Sequence, residues 1–118
     1  MTMIFKTSSS RHLRALALPA LLLSCGLAAA AGNADQLAIG KKLFSTSVPA
    51  CAVCHTLKDA GAEGAVGPVL DELQPDAARV AKVLRDGLGS MPSFKTSLSE
   101  AQIQALSAYV AQASRGGK

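Results

Sequence analysis

Cys51, Cys54 and His55, in the run Cys51-Ala52-Val53-Cys54-His55, are the residues of this 118-residue chain whose types and spacing can do chemistry. C-x-x-C-H is the attachment signal for c-type haem, and the spacing has a mechanism. Two thiols three residues apart at the start of a helical turn can each form a thioether with one haem vinyl group. The adjacent histidine is then held under the macrocycle and ligates iron through a ring nitrogen. Competing chemistries fail on inventory. A zinc site needs four ligands, usually Cys or His, and no further Cys or His follows His55. A thioredoxin-like dithiol wants a strand–helix context, and no strand pattern is visible. An ordinary disulfide leaves His55 without a role. The expectation is one haem c, bound through Cys51 and Cys54 with His55 on the metal.

A second axial ligand follows from the same inventory. Met91 is the only methionine after residue 31, and no second histidine exists there. Methionine usually fills cores, but Met91 stands in Gly89-Ser90-Met91-Pro92-Ser93-Phe94, off any helical stripe. Pro92 stiffens that loop and bars its predecessor from helical angles. A thioether is a soft, neutral donor, and His/Met ligation raises the reduction potential. The other ring N–H of His55 needs an acceptor, which a backbone carbonyl of Gly67-Pro68-Val69-Leu70 can supply. An iron with six filled positions has no site for substrate or oxygen, and no acid–base pair or nucleophile is visible elsewhere. The reading is a one-electron carrier, not an enzyme.

Helices must position these groups. Asp35 to Leu43 reads as a first helix with Leu37, Ile39, Leu43 and Phe44 apolar. Ser45–Pro49 is turn-like, and the Gly/Ala-rich Leu57–Gly67 reads as a loop. Pro75 opens a segment with Val80, Val83, Leu84 and Leu88 at helical spacing, stopped by Gly87. Ser99 caps the last helix with Gln102 three residues on, flanked by Leu98 and Ile103 as a staple. Ile103, Leu106, Tyr109 and Val110 give it an apolar stripe. No run alternates with period two, so no strands are expected and the fold class is small and all-α.

Residues 1–31 read as an address. Lys6, Arg11 and Arg14 precede an apolar run from Ala15 to Leu23 and four alanines, Ala28 to Ala31. That is the pattern of a secretory signal peptide cleaved after Ala30 or Ala31. A retained transmembrane anchor is the second reading, but Ala15–Ala31 is 17 residues with Pro19 and many alanines, at or below the span a bilayer needs. A third stays open: Leu22-Leu23-Ser24-Cys25 is similar to a lipobox, in which Cys25 becomes a lipidated N-terminus tethered to a membrane surface. Either way residues 32–118 work outside the cytoplasm, in the periplasm.

Composition agrees once the leader is set aside. The whole chain carries +4, with 12 basic and 8 acidic residues. Three of the basic residues lie in the leader, so 9 remain against 8. Charged residues at 17% and aromatics at 3% exclude the basic, aromatic-interleaved surface of a single-strand nucleic-acid binder. The hydrophobic fraction of 49% excludes wholesale disorder. A domain this short and poor in aromatics is marginal unaided, and a haem supplies the missing apolar mass.

Gly40-x-x-x-Phe44, Cys51–His55, Gly67-Pro68-x-Leu70, Gly89-Ser90-Met91-Pro92-x-Phe94 and Leu106-x-x-Tyr109 together resemble bacterial class I c-type cytochromes over residues 34–113. The resemblance implies that Gly40 and Phe44 cross against Leu106 and Tyr109. It implies His55 proximal, Met91 distal and the Pro68 carbonyl near His55. Phe44, Leu70, Val83, Leu84, Leu88, Phe94 and Leu106 would line the haem. Gly64 to Asp71, with Pro75-Asp76 and Arg79-Val80, is similar to the small cytochromes that accompany sulfite-oxidising molybdenum enzymes. The partners implied are redox proteins: a donor dehydrogenase and a terminal oxidase or another cytochrome. Lys41, Lys42, Lys58, Lys82, Arg85 and Lys95 are the candidate steering cations; most read equally as ordinary solvated surface, and Lys58 and Lys95 stand out because they flank the loops that carry the haem motif and Met91. The alternatives are a subunit fixed in an oxidoreductase complex and a ligand-sensing haem protein.

Overall fold

The computed structural model describes residues 24–116. Residues 1–23, most of the expected leader, lie outside the described residues, as does the Cys25 side chain. Helix α1 spans Ser24–Thr46, beginning well before the expected start at Asp35 because alanine, which fills 28–31, has the highest helix propensity of any residue. It ends where Thr46 Oγ1 donates to the Lys42 carbonyl at 2.9 Å, just before Pro49. Its buried positions Gly40 and Phe44, four apart, lie on one face, whereas Ile39, expected on the apolar face, is half exposed because it falls off that face.

Five short elements follow. Helix α2 is the single turn Cys51–Cys54. Strands β1 (Thr56–Leu57) and β2 (Ala62–Glu63) pair antiparallel around the 3₁₀ turn Lys58–Ala60. This ladder corrects the expectation of no strands: two residues per strand are too few to show an alternating pattern. Gly61, at φ 61°, closes the turn in the left-handed region open to glycine. Helix α3 is the turn Leu70–Leu73, also unannounced by periodicity because four residues make little more than one turn.

Helix α4 spans Ala77–Asp86. The Asp76 side chain caps it by accepting from the Arg79 N–H at 2.7 Å, and Gly87 N–H closes it on the Val83 carbonyl at 2.8 Å. Helix α5 spans Glu100–Gly116. Its capping box is complete: Ser99 N–H donates to Gln102 Oε1 at 2.8 Å and Gln102 N–H to Ser99 Oγ at 3.3 Å. Leu98 and Ile103 are both buried beside it.

Helix α5 is the spine, packed against α1, α3 and α4. Gly40 permits the α1–α5 crossing. A Cβ there would overlap the Ala105 carbonyl oxygen and come within 2.5 Å of Tyr109 Cβ. Phe44 meets Tyr109 edge-on, ring centroids 6.1 Å apart, a favoured aromatic geometry. The Tyr109 hydroxyl donates to Asp59 at 2.7 Å, and Lys41 pairs with the same carboxylate oxygen at 3.0 Å. These partners, Tyr109 first, hold the Asp59 carboxyl below its ordinary range. Arg85 ties α4 to the start of α5 through Glu100, whose carboxyl it pushes down to about 2. The fold is a small helical globule of the kind expected.

Candidate functional site

The site grows from α2. A helical turn sets positions three apart on one side, so Cys51 and Cys54 share a face, both as free thiols. Ala50 enters in extended conformation and His55 leaves in it, at φ −115° and ψ 139°, which turns the imidazole off the helix. Burial pushes the Cys51 thiol up, against a smaller opposing effect of the Ser47 hydroxyl. That is the reverse of the depressed thiol of a redox dithiol.

The segment 64–68 folds over this turn. The Cys54 carbonyl accepts from Val66 N–H at 3.1 Å and from Gly67 N–H at 2.7 Å. His55 Nδ1 lies 2.9 Å from the Pro68 carbonyl oxygen. A carbonyl can only accept, so Nδ1 carries the proton and Nε2 keeps the lone pair a metal needs. Two glycines make the approach possible. A Cβ at Gly64 would stand 2.6 Å from the His55 backbone nitrogen, and one at Gly67 would stand 2.8 Å from His55 Nδ1.

Met91 arrives from the far end of α4. Leu88 and Met91 exchange two backbone hydrogen bonds of 3.0 Å, closing a tight turn through Gly89 at φ 58°. The loop is tied back to α4 where Phe94 N–H reaches the Leu84 carbonyl at 2.7 Å and Ser93 Oγ donates to the Arg85 carbonyl.

Cys51, Cys54, His55, Pro68 and Met91 all line one cavity of about 400 Å³. Its walls include Phe44, Leu70, Val83, Leu84, Leu88, Phe94 and Leu106, the seven residues named by resemblance. Arg79 is the one charged side chain among the lining residues. From the sequence Arg79 enters only as part of the finer motif resemblance, with no role at the haem. The available signal was an arginine beside the Val80, Val83 and Leu84 stripe, in a helix otherwise cleanly divided. A guanidinium fork there matches a carboxylate. A wider groove of about 540 Å³ between α1, the 3₁₀ turn and α5 contains Lys41, Asp59 and Tyr109 but none of the five residues above.

The donor set fits a c-type haem. It offers two thiols on one face, a histidine with Nδ1 committed to a carbonyl, a thioether and an apolar enclosure. Of the expected steering cations, Lys41, Lys82 and Arg85 stand in ion pairs with Asp59, Asp86 and Glu100.

Comparison with known proteins agrees. The family model described as cytochrome C oxidase, cbb3-type, subunit III, matches residues 35–110. The chain is similar to the c-type cytochrome SorU from Sinorhizobium meliloti, whose crystal structure superposes with a TM-score of 0.66 at 47% sequence identity. That match covers 68% of this chain and 92% of SorU. No curated protein matches. Most of the chain thus belongs to the family of that cbb3-type subunit III domain, and the protein is a c-type cytochrome, an electron-transfer protein built around haem c.

Proposed function

We propose that the mature protein is a periplasmic one-electron carrier with a single haem bound through Cys51 and Cys54 and ligated by His55 and Met91. The observation that carries this reading is the shared cavity lined by both ligands, with His55 Nδ1 turned to the Pro68 carbonyl. Bound there, haem iron supplies the Fe(III) + e⁻ ⇌ Fe(II) couple. The chain's residues do the rest. His55 and Met91, which both line the cavity, would hold the iron and so leave it no open position for substrate. Phe44, Leu84, Phe94 and Leu106 exclude water, which disfavours the extra charge of the oxidised state and raises the potential. Arg79, the charged side chain among the cavity's lining residues, would pair with a haem carboxylate.

Residues 1–31 act as the export leader in this reading. Among the described residues no helix is long and apolar enough to cross a membrane. Lipidation at Cys25 is the alternative form, which adds a surface tether. The resemblance carried by Gly64–Asp71, Pro75-Asp76 and Arg79-Val80 favours a sulfite-oxidising molybdenum enzyme as electron donor, met by a free or complex-bound carrier.

The test is spectroscopic. The oxidised protein is expected to show the methionine–iron charge-transfer band in the near infrared. Met91→Ala keeps haem attached, loses the band, opens the sixth position to carbon monoxide and lowers the potential. A wild-type protein lacking that band, or a variant that retains it, overturns His/Met ligation. Mass spectrometry of the exported protein gives the haem count and the true N-terminus.

A further inference from the structure

We infer that Thr56, the residue after the haem motif, is a positioning residue that sets the donor strength of His55 through the 64–68 segment. The inference rests on the ligation proposed above.

Three hydrogen-bonded points pin that segment to the motif. Thr56 Oγ1 donates to the Gly64 carbonyl at 3.0 Å from a partly buried position. The Cys54 carbonyl holds Val66 and Gly67 N–H, and Pro68 accepts from His55. Thr56 also pairs with Glu63 in the two-strand ladder, so its hydroxyl sits where β2 ends and the segment begins. The latch is stiff at both ends because Gly64 lies against the Cys54–His55 backbone and Gly67 against the imidazole, each too close to admit a Cβ. A shift of Gly64 is therefore passed along a short, packed run to the Pro68 carbonyl.

That carbonyl governs the chemistry. An imidazole whose Nδ1–H is held by an acceptor is a more basic ligand and favours Fe(III). Without the Thr56 hydroxyl, the Gly64 carbonyl loses its side-chain donor and the segment relaxes. The His55–Pro68 bond then opens more often, and the couple moves toward Fe(II). Valine matches threonine in shape without the hydroxyl, and serine keeps the hydroxyl without the methyl, so the pair separates hydrogen bonding from packing.

The experiment measures two quantities on holoprotein: the midpoint potential, and the exchange rate of the His55 Nδ1 proton by NMR in the reduced state. In Thr56→Val the redox equilibrium is expected to shift toward Fe(II) by about twofold to tenfold, the span of one ordinary hydrogen bond. Tenfold corresponds to about 59 mV for a one-electron couple. Proton exchange accelerates in step, and Thr56→Ser restores both to wild-type values. Unchanged values in Thr56→Val, or equal shifts in the serine variant, overturn the inference. A wild-type protein without a covalent haem or a methionine–iron band overturns the proposed function instead, and this inference with it.

Discussion

Gly40→Ala is expected to destabilise the protein even though alanine is the better helix former. Two effects oppose each other. Replacing a mid-helix glycine by alanine gains about 1 kcal/mol of intrinsic propensity. Against this, the new methyl overlaps the Ala105 carbonyl oxygen and lies 2.8 Å from its carbon and 2.5 Å from Tyr109 Cβ. Two of those three atoms are backbone in the middle of α5, and the third is the root of a side chain, so none swings aside. The helices must separate, along the longest helix–helix contact in the fold. Overpacking of this kind costs about 1–3 kcal/mol, and a backbone obstacle places it at the top of that range. The net loss is about 2 kcal/mol, or about 10 °C in Tm for a domain this small. Urea and thermal unfolding of the holoprotein, followed by the Soret band and by circular dichroism, measure it. A variant as stable as wild type, or one stabilised by the propensity difference alone, refutes the packing argument.

Other sites give further outcomes. Asp59 has a folded-state pKa held low, first by Tyr109 and then by Lys41; its stabilisation is therefore present above the unfolded value of about 3.9 and is lost as pH falls through the folded one. The stability gap between wild type and Asp59→Asn, read from urea melts, should be open at pH 7 and close in acid; a pH-independent gap contradicts this. Gly67→Ala places a methyl against the His55 ring, so the yield of haem-attached protein should fall and the potential of the remainder should rise, both readable by haem staining and redox titration. Ser99→Ala removes half of the α5 capping box and should cost about 1 kcal/mol, with an unchanged visible spectrum as the check that the site is untouched.

Sequence reasoning reached furthest where the signal is local. The α5 capping box, the Gly87 stop and the C-x-x-C-H turn are each decided within a few residues, by hydrogen bonds the chain makes to itself, and each stands as read. Exposure of Ile39 was not legible, since the face α1 buries depends on where α5 lies. The β1–β2 ladder and α3 were too short to leave a periodic trace. Arg79 and Thr56 escaped for another reason. Their roles depend on where their side chains end, and each reaches a group or surface brought near by the fold.

By itself the chain determined its chemistry. One C-x-x-C-H run and a single methionine after residue 31 leave few donors for a metal, and residue type alone decides which atoms can bond to iron. Only the tertiary structure decided the geometry that makes those donors useful. The Pro68 carbonyl is brought 2.9 Å from Nδ1, which selects the histidine nitrogen free to ligate. Met91 is carried to the same cavity by a loop anchored on α4. Gly40 lets α1 and α5 close on each other. Those relations join residues far apart in the chain, and their distances are set by packed side chains whose positions no local pattern encodes.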